Sequence, residues 1–208
     1  MITLFIDTSS SSDVSIAIVK DKNILAHITK TIPNQHSIYT VSFIDTAIKE
    51  ANLTPNDIEK IMVVTGPGSF TGVRIGVTIA KVYAHLKKLS IISISSLKMM
   101  AISCEHEYCL SLIDAHHNNY YLGLYDKNNN EIIKEQFNTK EHVLELIKQY
   151  NPTIISDSDI EVGEYKVAKQ NLDIIKIVAY YQNNPSENPH LVLPNYLKLP
   201  QALEEKHD

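Results

Sequence analysis

The 208-residue chain carries a net charge of −5 and no long basic run, which argues against unaided nucleic-acid binding, and its length suits one large domain or two small ones. Two cysteines, Cys104 and Cys109, fit neither a disulfide framework nor a four-ligand zinc site and read as reduced thiols. Met1 to Asp7 has no basic n-region and no sufficient apolar run, so neither a signal peptide nor a membrane span is expected and a cytoplasmic location is.

In chain order, residues 2–6 read as a strand followed by the polar turn Asp7-Thr8-Ser9-Ser10-Ser11-Ser12. Val14 to Val19 is a second strand, Asp21-Lys22-Asn23 a hairpin turn, and Ile24 to Thr31 a third strand. After Pro33, Ser37 is placed to cap a helix that runs through Ala51. That helix carries Val41, Ile44, Ile48 and Ala51 as its expected core face, with Tyr39 and Phe43 on nearly the opposite side. A second apolar row leaves two readings open: a partner surface, or a face covered by the rest of this chain.

Ile61 to Thr65 is apolar and β-branched and reads as a buried strand. It leads into Gly66-Pro67-Gly68-Ser69-Phe70-Thr71-Gly72-Val73-Arg74-Ile75-Gly76, where four of the six glycines lie. Ser69 should cap a helix reaching about Lys87, with Ile75, Ile79, Val82 and Leu86 as its core face. A second row, Gly72, Gly76, Ala80 and Ala84, is small throughout, and glycine inside a helix costs roughly 1 kcal/mol relative to alanine. Such a row reads as a smooth face for close packing, within the chain or against a partner helix. Spacing excludes the phosphate loop, because Val73 follows Gly72 where lysine is needed, and the dinucleotide pattern, whose third glycine position is Thr71.

A strand over Ile91 to Ile94 completes the order β-β-β-α-β-α-β, that of a ribonuclease H-like fold. A second run follows: strands at 110–114, 120–125 and 132–137, a helix from Glu141 to Tyr150 with Thr139 as cap, and a strand at 153–156. Leu110 to Asp114 echoes Leu4 to Asp7, and Asp126-Lys127-Asn128 echoes Asp21-Lys22-Asn23, which predicts a duplicated unit without a second glycine-rich helix. Beyond residue 160 the pattern is poor, with Pro185, Pro189 and Pro194 before the acidic end Glu204-Glu205.

Three enzyme chemistries fit badly. A two-metal nuclease needs several carboxylates, and the strand ending at Thr65-Gly66 supplies none beside Asp7. A sugar-kinase-like ATPase needs a second Asp-x-Gly loop, where this chain has Asp114-Ala115-His116, and a glycine-rich adenosine loop, although no Gly-Gly occurs. A metalloprotease needs H-E-x-x-H, and no two of the nine histidines are four apart; adjacent His116 and His117 read as surface residues. Asp7, Thr8 and Ser9 remain as an anion-facing loop or, alternatively, an Asx-type turn in which Asp7 bonds its own backbone.

The glycine-rich run resembles the signature of the TsaB (YeaZ) family, as do Ile6-Asp7-Thr8-Ser9, Gln35-His36-Ser37, Ser95-Ser96-Leu97, Ile113-Asp114-Ala115 and Pro194-Asn195-Tyr196-Leu197-Lys198. It departs at Lys198, where arginine is common, and in 157–190. The resemblance implies an α/β, duplicated ribonuclease H-like fold of the actin, sugar kinase and Hsp70 superfamily: a first domain over 1–100, a reduced second domain over 101–190, and a segment 191–208 free to return to the first. It implies a non-catalytic subunit of the tRNA N6-threonylcarbamoyladenosine (t6A) complex. Such a subunit pairs with TsaD, meets TsaE and tRNA only through the complex, and forms a homodimer through the same helical surface, without membrane or metal. No cofactor is expected for the chain alone; ATP or ADP, where used, is expected only with TsaD. The partner-binding residues expected are Tyr39, Phe43, Phe70, Gly72, Val73, Gly76, Val77 and Ala80. The alternative is an independent ATP-dependent kinase of the same superfamily.

Overall fold

The computed structural model describes residues 1–198; the tail 199–208, with Glu204 and Glu205, lies outside the described residues. The first unit runs β1 (Ile2–Asp7), β2 (Asp13–Lys20), β3 (Asn23–Thr31), α1 (His36–Glu50), β4 (Lys60–Gly66), α2 (Phe70–Lys87), β5 (Ile91–Ser95) and α3 (Ser96–Ile102). The second runs β6 (Tyr108–Asp114), β7 (Asn119–Asp126), β8 (Glu131–Thr139), α4 (Lys140–Tyr150), β9 (Thr153–Ser156), β10 (Val167–Lys169) and α5 (Ile174–Tyr181).

Each unit holds a five-stranded sheet, in the orders β3-β2-β1-β4-β5 and β8-β7-β6-β9-β10. Position for position these are the same: an antiparallel meander whose first strand also pairs in parallel with the fourth. Leu4 sits between Ile18 and Ile61, and its counterpart Leu110 between Leu124 and Ile154. The duplicated ribonuclease H-like architecture is therefore present. The second copy is reduced where expected: among the described residues no helix joins β9 to β10.

The first sheet is covered on both faces, which is why its inner strands read as continuous apolar runs. Alternation along β1 sends Leu4 and Ile6 to one face and Phe5 to the other. The first face, with Ile16, Ile18, Ile61 and Val63, carries α1 and α2. The other, with Met62, Val64, Ile92 and Ile94, carries Met99 and Ile102 of α3 and Ile174, Ile177, Val178 and Tyr181 of α5. All seven residues of α3 are buried, Leu97, Met100 and Ala101 turning to the second sheet beside Ile113 and Tyr125.

Two local expectations change. The helix α1 begins at His36 behind Gln35, with no side-chain cap; Ser37 lies inside its first turn. The pattern-poor stretch beyond 160 holds β10 and α5, whose cap Asp173 accepts from Lys176 N, and α5 packs on the first sheet. Ser69 and Thr139 cap α2 and α4 as the sequence predicts. Near the C-terminus, Val192 is buried in the first core and Asn195 N donates to Thr65 O at 2.7 Å. No helix among the described residues is long and apolar enough to cross a membrane.

Candidate partner-docking surface

The turn before α2 is built on glycine. Gly66 has φ of 102°, a left-handed backbone that other residues avoid. Ser69 N then donates to Ser9 O at 2.7 Å, seating the turn on the loop after β1. A methyl group on Gly72 would overlap the Thr8 carbonyl oxygen, and one on Gly76 would overlap Thr8 Oγ1. Thr8 Oγ1 itself donates to Gly72 O at 2.7 Å, so helix and loop are joined by contact and by hydrogen bond.

This geometry reverses the two faces of α2. Gly72, Val73, Gly76, Val77 and Ala80, expected to meet a partner, are buried inside this chain, against the sheet and the Thr8 loop. Of Ile75, Ile79, Val82 and Leu86, expected to face the core, only Ile79 packs against it, half-buried; Ile75 is half-buried in the hollow beside α1, and Val82 and Leu86 are 54% and 71% exposed. The cause is side-chain size. A helix that lies tightly on a backbone loop does so on its smallest residues, which turns its larger row outward.

On α1 the buried residues are His36, Thr40, Ile44, Ala47 and Ile48. Val41, expected in the core, is exposed, as is Ile38. Tyr39 and Phe43 stack on each other with ring centroids 5.9 Å apart; Tyr39 is exposed, whereas Phe43 is half-buried against the first core. Phe70, at the start of α2, is exposed.

Between the two helices run two adjoining hollows, of about 450 and 350 Å³, that share Val41, Thr78 and Ile79. The second is lined almost wholly by apolar side chains, among them Ile44, Val82 and Leu86. A contiguous exposed apolar strip marks an interaction site more often than chance exposure. Of the exposed residues missed, Val41, Val82 and Leu86 read from sequence as core and Ile38 as part of neither row; on α2 what misled was taking the bulkier row as the core.

The loop Asp7-Thr8-Ser9 follows the Asx-turn reading. Asp7 Oδ1 accepts from Ser9 N at 2.8 Å and from Ser9 Oγ at 2.7 Å, and the Thr8 hydroxyl is held by Gly72. Burial pushes the Asp7 carboxyl above the usual range, opposed by the two Ser9 bonds and the His36 charge. Asp7 lines a polar cleft of about 340 Å³ with Asp13, His27, Asp157 and Lys169. Burial raises Asp157 too, and the Asp7 charge adds to it. Facing carboxylates disfavour an anion there. His116 and His117 sit in the β6–β7 turn rather than on a strand, and the described residues contain no group of three or more metal-ligating side chains.

A family model described as TsaD, tRNA N6-adenosine threonylcarbamoyltransferase, matches residues 23–183. This chain belongs to that family, in its TsaB (YeaZ) group. The Bacillus subtilis (strain 168) protein named tRNA threonylcarbamoyladenosine biosynthesis protein TsaB is 28% identical across 97% of this chain and 96% of its own length. The Escherichia coli (strain K12) TsaB is 31% identical across 62% of this chain and 57% of its own. The solved YeaZ from Pseudomonas aeruginosa superimposes with a TM-score of 0.80 at 20% identity, covering 94% of this chain and 99% of that one, a likeness of fold. The TsaB group expected from the glycine-rich signature is the one found.

Proposed function

We propose that this chain is a non-catalytic subunit of the t6A machinery that pairs with a TsaD-type transferase through the outer face of α1 and α2. The observation that carries the reading is the apolar strip of Val41, Val82 and Leu86 with its two hollows, on a chain whose near full-length relative is named for t6A biosynthesis. Burying a large aliphatic side chain is worth about 1.5–3 kcal/mol, so a few such residues at the centre of an interface supply the hot spots that association needs. TsaE and tRNA are met only through the TsaD complex, and a homodimer competes for the same face. The non-catalytic part is supported by how the loop after β1 is used: its hydroxyls hold α2 and Asp7, not a phosphate. In this reading the chain binds no nucleotide alone, and ATP or ADP enters only with TsaD.

The test is Leu86→Glu, which puts a charge at the most exposed point of the strip. Co-purification with the organism's TsaD should be lost, by about 2 kcal/mol or more of affinity, while the melting temperature stays put. Reconstituted t6A formation should fall with it. Normal association of the variant with TsaD refutes this face as the docking surface.

A further inference from the structure

Of the 19 basic residues in the chain, 18 are lysine and one is arginine, Arg74. It stands on the outer side of α2 and lines the hollow that holds Phe70, Val41 and Ile75. Its guanidinium carbon lies 3.7 Å over the centre of the Phe70 ring, and its Nε donates to the Tyr196 hydroxyl at 2.6 Å. Phe70 and Tyr196 are themselves 5.3 Å apart between ring centroids. The guanidinium is thus held over a ring on one side and by a hydrogen bond at Nε. Its two terminal amino groups meet no acceptor among the described residues.

That arrangement uses what lysine lacks. An ammonium cannot stack as a plane, nor offer two parallel N–H bonds in a rigid fork. A fork pre-ordered in the free protein loses little freedom on binding, and its natural acceptor is a carboxylate taken bidentately. Phosphate is the other planar-fork acceptor. A nucleic-acid contact, however, draws on several cations along a backbone, and the hollow around Arg74 contains no lysine.

We infer that Arg74, held by Phe70 and Tyr196, grips a carboxylate of the TsaD-type partner as a bidentate pair at the edge of the apolar strip. The inference rests on the docking reading above and adds the chemistry of one partner residue to it. The apolar strip supplies adhesion, and the fork fixes how the partner is set along it. Tyr196, on the returning C-terminal segment, acts as a positioning residue: it orients the fork and does not itself meet the partner.

The experiment compares R74K, R74Q and Y196F with the wild type, by titration against the organism's purified TsaD and by thermal melting. Arg74 is exposed, so none of the three should shift the melting temperature. R74K, which keeps the charge but not the fork, should weaken binding roughly tenfold or more, close to the loss in R74Q. Y196F should lose less than either. Wild-type affinity in R74K overturns the inference, as does a pattern in which R74Q alone is weak, since charge without the fork would then suffice. A loss confined to tRNA binding by the assembled pair assigns Arg74 to phosphate, and a loss confined to self-association assigns it to a second copy; either overturns the TsaD carboxylate. Failure of the wild type itself to bind TsaD is a separate result: it removes the docking reading, and this inference falls with it.

Discussion

Two alanine substitutions on the same row of α2 should behave differently, because the neighbour each meets is different. A methyl group on Gly72 meets the Thr8 carbonyl oxygen, which cannot move unless the whole loop after β1 moves. One on Gly76 meets Thr8 Oγ1, the end of a side chain that can rotate away at the cost of its bond to Gly72 O. Overpacking costs about 1–3 kcal/mol, and a buried hydrogen bond is worth about 1 kcal/mol. Replacing glycine by alanine returns up to about 1 kcal/mol of helix propensity. Gly72→Ala should therefore destabilise by about 2 kcal/mol net, near the top of the overpacking range less the propensity gain. Gly76→Ala should lie between neutral and about 1 kcal/mol. Gly76→Leu, far larger than the site, should unfold the monomer or nearly so, whatever its intrinsic preference for helix.

A double-mutant cycle sharpens this. Thr8→Ala removes Oγ1 and leaves the carbonyl in place. It should relieve Gly76→Ala, giving a coupling of roughly 0.5–1 kcal/mol, and should leave Gly72→Ala unrelieved. Thermal and urea melts of the isolated protein measure both; for a chain of this length about 1 kcal/mol moves the melting temperature by roughly 2–4 °C. The reasoning is refuted if Gly72→Ala and Gly76→Leu fold with wild-type stability and lose only TsaD binding, for then the small row is a partner surface after all.

The stacked pair on α1 should split in the same way. Tyr39→Ala should weaken association and leave melting unchanged, whereas half-buried Phe43→Ala should also destabilise by about 1–2 kcal/mol, less than the 3–5 of a full core phenylalanine; equal melting temperatures would contradict that burial. Asp157 is held above its ordinary pKa of 3.8, so the folded state binds its proton more tightly than the unfolded one, and its ionised form costs stability above the raised pKa. Asp157→Asn should therefore raise the melting temperature at neutral pH, with the gain shrinking as the pH falls towards about 4; a pH-independent gain would count against the burial argument. Isolated, contaminant-free protein should not turn over ATP, and steady turnover abolished by Asp7→Ala would restore the kinase reading.

What the sequence made legible was the order of elements and their duplication, because period-two and period-3.6 patterns report which elements form. Which side of a helix faces inward is a different question. On α2 both rows are apolar, so periodicity could not choose between them, and residue size pointed the wrong way. The choice is made by a loop more than sixty positions away in sequence, whose Thr8 carbonyl and hydroxyl leave room only for hydrogen at Gly72 and Gly76. The helix α5 was missed for a related reason. Its buried residues Ile174, Ile177, Val178 and Tyr181 do stand at helical spacing, but over only eight residues beside polar, proline-containing sequence, too short a run to stand out; its partners are strands of the other unit.

Read together, the loop after β1 and the glycine-rich turn are one device. Considered separately, each invites a phosphate: a polar serine-rich loop at a strand end, and glycines before a helix N-terminus. In the fold they fill each other. Ser9 O accepts from Ser69 N, Thr8 Oγ1 donates to Gly72 O, and Ser9 Oγ donates to Asp7 Oδ1. Groups that would meet a ligand in an enzyme of this architecture are here the seat of a helix. The seat in turn decides the outer face, since small residues turned inward leave Ile75, Val82 and Leu86 turned out. The same contacts that argue against chemistry in the cleft therefore create the apolar strip through which the chain is proposed to act.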